Sequence, residues 1–326
     1  MAVLIGNGFD IRNGLPTRYS DFYKEIPNKQ ENLIYKDIEN NKDNWSDFEL
    51  GLGQLTISNK TGNDINGFIE SYNKVLIDLD NYLKMCENMV SIKDDNQLNS
   101  AFMNDIAKIF DKLEIDGKKR VLRIMNKDEV INVSFINFNY TNFLDKCIGE
   151  QSTFKKNSKT YYIADKVHIH GKTELFPIVG VDNESQLNKT WLRYKEIQYL
   201  IKPNLIKGLG YGAYDECERI IGMSNVIYIF GSSLGATDKT WWVQILNWLK
   251  LDPNHILIID QYDFDELNRI NGILYLTAKE KIKTNFIRYD VNNIVDNRIT
   301  KQIFITNNSQ LFNYSKYIEI KNRSKF

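Results

Sequence analysis

Met1-Ala2-Val3-Leu4-Ile5-Gly6-Asn7-Gly8-Phe9-Asp10 opens the chain, and Gly14-Leu15-Pro16-Thr17 lies just beyond it. A short apolar run that ends in a tight glycine turn is how a doubly wound α/β domain begins its nucleotide site. Glycine lets the backbone approach a pyrophosphate closely, and the following helix points its free N–H groups at it. Gly6, Asn7, Gly8 and Thr17 are therefore candidate contacts to a phosphate-bearing ligand, while Asp10 either stabilises developing positive charge near the ligand's ribose or caps the first helix. The third glycine of the GxGxxG fingerprint is missing, so the stretch alone also reads as an ordinary strand–turn–helix.

Working outward, residues 18–125 read as helical. Tyr19–Ile26 and Leu33–Asn40 make short helices, and Trp45-Ser46-Asp47-Phe48-Glu49 opens another. Ile65, Phe68, Tyr72, Val75, Leu76, Leu79 and Leu83 recur at helical spacing, as do Leu98, Phe102, Ile106, Ile109 and Leu113. The character changes at Val130. Val130–Phe138, Tyr161–Ile169, Phe176–Val181, Val226–Phe230, His255–Ile259 and Thr284–Tyr289 read as strands. Leu187–Leu209, Gly212–Ile221, the stretch around Trp242, Ile245, Leu246 and Leu249, and a short segment to about Ile270 read as helices. Beyond Ile299 a strand or hairpin is expected. Short apolar strands alternating with helices imply βαβ units. The expected fold is α/β, a Rossmann-like parallel sheet with a large helical insertion after the first strand. Residues 1–17 and 126–298 would form the α/β domain, 18–125 the insertion, and 299–326 a C-terminal extension.

The 326 residues carry 42 Lys+Arg and 42 Asp+Glu, a formal net charge of zero that argues against a dedicated nucleic-acid binder. The basic residues Lys316, Lys321, Arg323 and Lys325 read as a solvated tail. Cys86, Cys147 and Cys217 are odd in number, far apart and without a CxxC pair, which argues against a disulfide framework and a cysteine zinc site. No apolar segment is long enough to span a bilayer, and no basic region precedes the first apolar run. A soluble, cytoplasmic protein that makes no membrane contact is expected.

The polar motifs fall at strand ends: GNGFD, FNYT, HIHG, GSSLGATD and IID. In open α/β sheets ligands bind outside the carboxyl ends of the strands, so these motifs should converge on one crevice. Two of the three histidines, His168 and His170, share one strand face. Imidazole titrates near neutrality and suits general-base work, and His170 is the stronger candidate. His168 reads equally as structural, and no third ligand supports a metal site. Asn139 can hold a water or a sugar hydroxyl, or serve as a turn residue or helix N-cap. Ser232 and Ser233 with Gly231 can bind phosphate or ribose. Asp238 either caps the next helix or contacts a ribose, and Asp260 either meets an adenosine ribose or sits in a solvated loop. Glu49 is either a second acid or part of a helix-face ion pair.

In that order, GNGFD…GLPT, W-x-DFE, FNYT, HIHG and GSSLGATD resemble the AbiH family of phage abortive-infection proteins, from residue 4 to about 260. More distantly the set is similar to the sirtuin-like NAD-binding fold. Gly6-Asn7-Gly8 match its pyrophosphate loop, Asn139 its asparagine, His170-Gly171 its catalytic histidine motif, and Gly231-Ser232-Ser233-Leu234 its ribose and phosphate segment. Thr141 stands where that pattern has aspartate, Pro16-Thr17-Arg18 replaces its nicotinamide-holding segment, and its four-cysteine module is missing. The resemblance implies NAD as the substrate and hydrolysis to ADP-ribose and nicotinamide on infection, with Asn139 and His170 catalytic and no metal. It also implies a phage-derived trigger and a homo-oligomer. A non-catalytic module that senses NAD or ADP-ribose, and an ADP-ribosyltransferase, are the alternatives.

Overall fold

The structure is a computed structural model that describes residues 1–27, 29–41, 47–58, 64–126, 129–156, 158–173, 177–209, 212–261, 272–290, 297–307 and 310–321. Its strands are β1 (Ala2–Ile5), β2 (Val90–Ile92), β3 (Val130–Asn137), β4 (Thr153–Lys156), β5 (Lys159–His168), β6 (Val226–Phe230), β7 (Ile256–Asp260), β8 (Ile303–Thr306) and β9 (Ile318–Ile320). Seven form one sheet in the order β4-β5-β3-β1-β6-β7-β8, while β2 and β9 pair separately. All neighbours in the large sheet are parallel except β4 with β5. Counted along the chain, the six parallel strands run 3-2-1-4-5-6, so the winding reverses between β1 and β6. A reversal of this kind opens a crevice at the strands' carboxyl ends.

The central strands are buried on both faces, which is why they appear as unbroken apolar runs. On one face Val3, Ile5, Phe135, Tyr228 and Ile258 pack with Leu98, Phe102 and Phe312. On the other, Leu4, Ile136, Ile227, Ile229 and Leu257 pack with Trp242, Ile245 and Phe286. A third core unites Phe22, Tyr35, Phe48, Tyr72 and Leu79 with Val179, Trp191 and Leu200. The helices Asp95–Ile106 and Ile115–Met125 belong to the sheet's own core, so the separate helical core uses elements between Tyr19 and Met89.

Three local expectations are corrected. Thr284–Tyr289 is no strand, because the helix Gly272–Ile287 occupies its first four residues and a turn the last two. The final parallel strand is β8, which pairs with β7 beyond residue 298 and so belongs to the main sheet. Residues 177–180 form no strand, and Val181 makes only an isolated bridge to Ile201. The short helix read to about Ile270, Trp45, Phe176 and the tail beyond Lys321 lie outside the described residues.

The long helix Ile65–Met89 straps the strand-end loops. Tyr82 Oη donates to the Pro16 carbonyl at 2.6 Å, and Tyr72 Oη to the Val179 carbonyl at 2.7 Å. Glu87 accepts from the Asn142 backbone N–H and, at 2.9 Å, from Thr173 Oγ1. The helical part therefore lies against the carboxyl ends of β1, β3 and β5.

Candidate functional site

Two glycine loops meet at the switch point. Gly6 N–H donates to the Phe230 carbonyl and Gly8 N–H to the Gly231 carbonyl, each at 2.8 Å. A Cβ on Gly6 would stand 2.6 Å from the Gly231 oxygen, and one on Gly8 would stand 2.6 Å from Gly231 Cα. Gly231 itself has φ +71°, a left-handed conformation that disfavours a side chain. The glycines are needed here because one backbone lies directly on another. The donors of Gly6 and Gly8 are spent within the protein, which differs from the expectation that they face a pyrophosphate.

The neighbouring candidates are also engaged. Asn7 Nδ2 donates to the Thr17 carbonyl at 2.9 Å, and Thr17 Oγ1 donates to Asn7 Oδ1 at 2.5 Å. Ser232 Oγ accepts from Leu234 N–H at 3.1 Å, while Ser233 is exposed. Leu234 has φ +55°, a conformation uncommon outside glycine, and Tyr289 Oη holds its carbonyl at 2.8 Å. Asp260 is buried, and its Oδ2 accepts from Tyr228 Oη at 2.9 Å and Thr306 Oγ1 at 2.8 Å. It ties β6, β7 and β8 together, so the solvated-loop reading of Asp260 is corrected.

Asp10 lies inside the helix Gly8–Arg12 and is completely buried. Thr141 Oγ1 donates to its Oδ2 at 2.6 Å, and Asn139 Nδ2 approaches its Oδ1 at 3.4 Å. Burial pushes its carboxyl up to about 7, against the pull of the Thr141 hydrogen bond. The Oδ1 atom of Asn139 is buried without a hydrogen-bond partner. Beside this cluster, His168 Nε2 lies 2.5 Å from Asp145 Oδ2, and its Nδ1 lies 3.3 Å from the Asn139 carbonyl. His168 thus braces the loop that carries Asn139.

His170 belongs to a second cluster. Its ring meets Phe138 edge-on with centroids 5.3 Å apart and lies 6.1 Å from the Tyr140 ring. Its Nε2 is 3.1 Å from Asp238 Oδ1 but out of line for a hydrogen bond, so this contact is electrostatic. Burial and then the Lys202 charge hold the imidazole below its ordinary pKa, outweighing the Asp238 carboxylate. Lys202 Nζ reaches Asp238 Oδ1 at 2.8 Å and Glu49 Oε2 at 2.6 Å. Burial alone would deprotonate this lysine and protonate Asp238, but their mutual attraction prevails, raising the lysine pKa and lowering that of the aspartate. Asp238 makes no side-chain cap for the helix Lys239–Leu251, so its capping role is corrected. That helix instead receives Asp182 Oδ1 at the Thr240 N–H, 2.7 Å away.

Asn139 and His170 therefore stand at the ends of adjacent strands, yet no hydrogen bond joins them among the described residues. A cavity of about 430 Å³ lies next to this region, lined by His168, Gly171, Ile178, Tyr72 and Leu205 but by neither Asn139 nor His170. The glycine loops do not line it, so the open volume lies on the β5 side of the switch point. Sequence reading missed Lys202, Glu87 and Asp145. Each acts through a partner distant in sequence, and none belongs to a recognisable motif. Among the described residues, no group of three or more His, Cys, Asp or Glu could hold a metal ion, and no helix is long and apolar enough to cross a membrane.

A mostly parallel α/β sheet, polar strand-end loops and a helical layer strapped over them define a mixed α/β protein with one convergent polar region. The family model for bacteriophage abortive infection AbiH matches residues 3–260, which span β1 to the end of β7. The chain belongs to the AbiH family and is a phage abortive-infection protein. No curated protein matches it.

Proposed function

We propose that this protein acts in phage defence by hydrolysing NAD+ to ADP-ribose and nicotinamide, in a sirtuin-like, Rossmann-type crevice along the carboxyl ends of β5, β3, β1 and β6. The observation that carries the reading is the buried Asn139 Oδ1, which has no hydrogen-bond partner and stands one strand away from the buried His170, whose Nε2 faces Asp238 Oδ1 at 3.1 Å. Buried polar atoms without partners are rare and point to a ligand or a reacting group. In the reaction the C1′–N bond breaks, nicotinamide leaves with the electron pair, and water adds to C1′. Asn139 would hold the ribose or the water, and neutral His170 would take the water's proton. Asp238 would favour the resulting imidazolium. Gly231, Ser232, Ser233, Asn7 and Thr17 would hold the adenosine and pyrophosphate side. Orientation supplies much of the rate in such a site, so these contacts should affect turnover as well as affinity.

The test uses purified protein with NAD+ labelled in the adenosine part, with and without lysate from phage-infected cells. Nicotinamide release with free labelled ADP-ribose supports hydrolysis. Its loss in both Asn139→Ala and His170→Ala, with NAD+ binding retained, supports the site. Tight binding without release under any condition replaces hydrolysis by sensing, and label transferred to protein or nucleic acid replaces it by ADP-ribosyl transfer.

A further inference from the structure

Lys202 is 2 % exposed and carries a charge into the interior beside a histidine. Lysines are almost never buried so fully unless paired, and here two carboxylates hold the ammonium. Glu49 comes from the helix Phe48–Ile57 in the helical layer, and Asp238 from the 3-10 turn Ala236–Asp238 after β6. The ammonium therefore joins two layers of the protein at the place where His170 sits. Glu49 is itself fixed, since its Oε1 accepts from the Gly180 N–H at 3.3 Å.

We infer that Lys202 is a positioning residue: it anchors the Asp238 carboxylate beside His170 and sets the charge that the imidazole meets. The inference rests on the assignment of His170 as the proton acceptor, but the state of its ring can be measured without any substrate. Asp238 Oδ1 is shared, 2.8 Å from Lys202 Nζ and 3.1 Å from His170 Nε2. A carboxylate already neutralised by an ammonium attracts a second cation weakly. The lysine also repels a proton on the ring directly, as a like charge disfavours the charged form. The other titratable groups around the ring are the Tyr140 phenol, the Tyr19 phenol 3.3 Å from it, Glu49, which pairs with Lys202, and Asp47, whose charge acts on Glu49. Both tyrosine pKa values are raised, first by burial, so these groups stay neutral near pH 7. Burial raises the Glu49 carboxyl to about 7 against the pull of Lys202, so it carries only part of a negative charge near neutrality, and the balance at His170 is chiefly between the Lys202 ammonium and the Asp238 carboxylate. Glu49 completes the device by tethering the ammonium from the helical layer, so a displacement of that layer would alter the charge beside the base.

The experiment is a pH titration of the ring resonances by NMR in the full-length protein without NAD+. The chain has three histidines, and substitution of His168 and His255 in turn assigns them. Wild-type His170 should titrate below the ordinary histidine value. Lys202→Met should raise its midpoint by about one pH unit or more, because Asp238 then acts on the ring alone. Asp238→Asn should lower it further, because Lys202 then acts alone. Lys202→Arg keeps the charge and should leave the midpoint near that of the wild type. If Lys202→Met does not fold, Asp238→Asn and the double variant Glu49→Gln/Lys202→Met supply the two opposite shifts. An unchanged midpoint in the lysine variants, or shifts of the same sign from removing the ammonium and the carboxylate, overturns the inference. Failure of NAD+ cleavage with these shifts present would remove the hydrolase reading and leave the charge arrangement standing.

Discussion

Asn139 Nδ2 approaches Asp10 Oδ1 at 3.4 Å, joining the loop after β3 to the first helix of the chain. Thr141 Oγ1 completes the contact at 2.6 Å on the other carboxylate oxygen. The aspartate that follows the opening glycine turn therefore orients the candidate catalytic asparagine. It neither caps a helix nor faces solvent.

Burial raises the Asp10 carboxyl from 3.8 to about 7, so the folded protein keeps a proton there that the unfolded chain releases. Its contribution to stability is fully present below about pH 4 and is lost as pH rises to about 7. Asp10→Asn should flatten this slope, gaining about 2–4 kcal/mol relative to wild type at pH 8 and little at pH 4. Urea denaturation at the two pH values checks it, and an equal effect at both would show that Asp10 is ionised in the folded protein throughout.

Gly231→Ala meets two obstacles at once. The added Cβ would stand 2.8 Å from Phe9 N, and φ +71° strains any side chain. A loss of about 2–4 kcal/mol is expected, read as a lower urea midpoint with an unchanged slope. A stability equal to wild type would mean that the two glycine loops are not in backbone contact.

Tyr82→Phe removes the hydroxyl that holds the Pro16 carbonyl. A cost of about 1 kcal/mol is expected for this largely buried hydrogen bond. Hydrogen exchange should also quicken in residues 15–17, where the helical layer grips the opening loop, while the β7 amides stay protected. Uniform quickening across the chain would instead indicate a global effect.

The pH dependence of NAD+ cleavage follows from His170. Its pKa lies below the ordinary 6.5, first through burial and then through Lys202. A general base works only when neutral, so kcat should be level near pH 7 and fall on an acid limb centred below 6.5. The limb should move to higher pH in Lys202→Met. A limb centred above 6.5 in the wild-type protein would assign the proton transfer to another group.

Much of this fold is legible in the chain itself. β1, β3, β6 and β7 show as apolar runs ending in glycine, asparagine or aspartate, because their faces are covered on both sides. The helical face of residues 65–83 is equally plain. Thr284–Tyr289 misleads because its β-branched and aromatic residues suit a strand, while Thr284, Phe286 and Ile287 end a helix that begins twelve residues before Thr284. In the site, local motifs identify Asn139, His170 and Asp10, since strand-end polar residues stand out against apolar runs. The ion pair of Lys202 with Glu49 is hidden, as its members are 153 residues apart. Nothing near Ile201-Lys202-Pro203 distinguishes a buried lysine from a solvated one. The internal use of the Gly6 and Gly8 donors is hidden for the same reason, because it depends on a loop more than two hundred residues away.

The central claim is that the Asn139/His170 region destroys NAD+ during infection. The most direct measurement is the NAD+ content of cells carrying the wild-type protein, Asn139→Ala or His170→Ala, after infection with a phage that the wild type blocks. NAD+ should collapse, with nicotinamide accumulating, in wild-type cells alone, and protection should be lost in both variants. Protection by the wild type with NAD+ unchanged, or a collapse that persists in both variants, would contradict it.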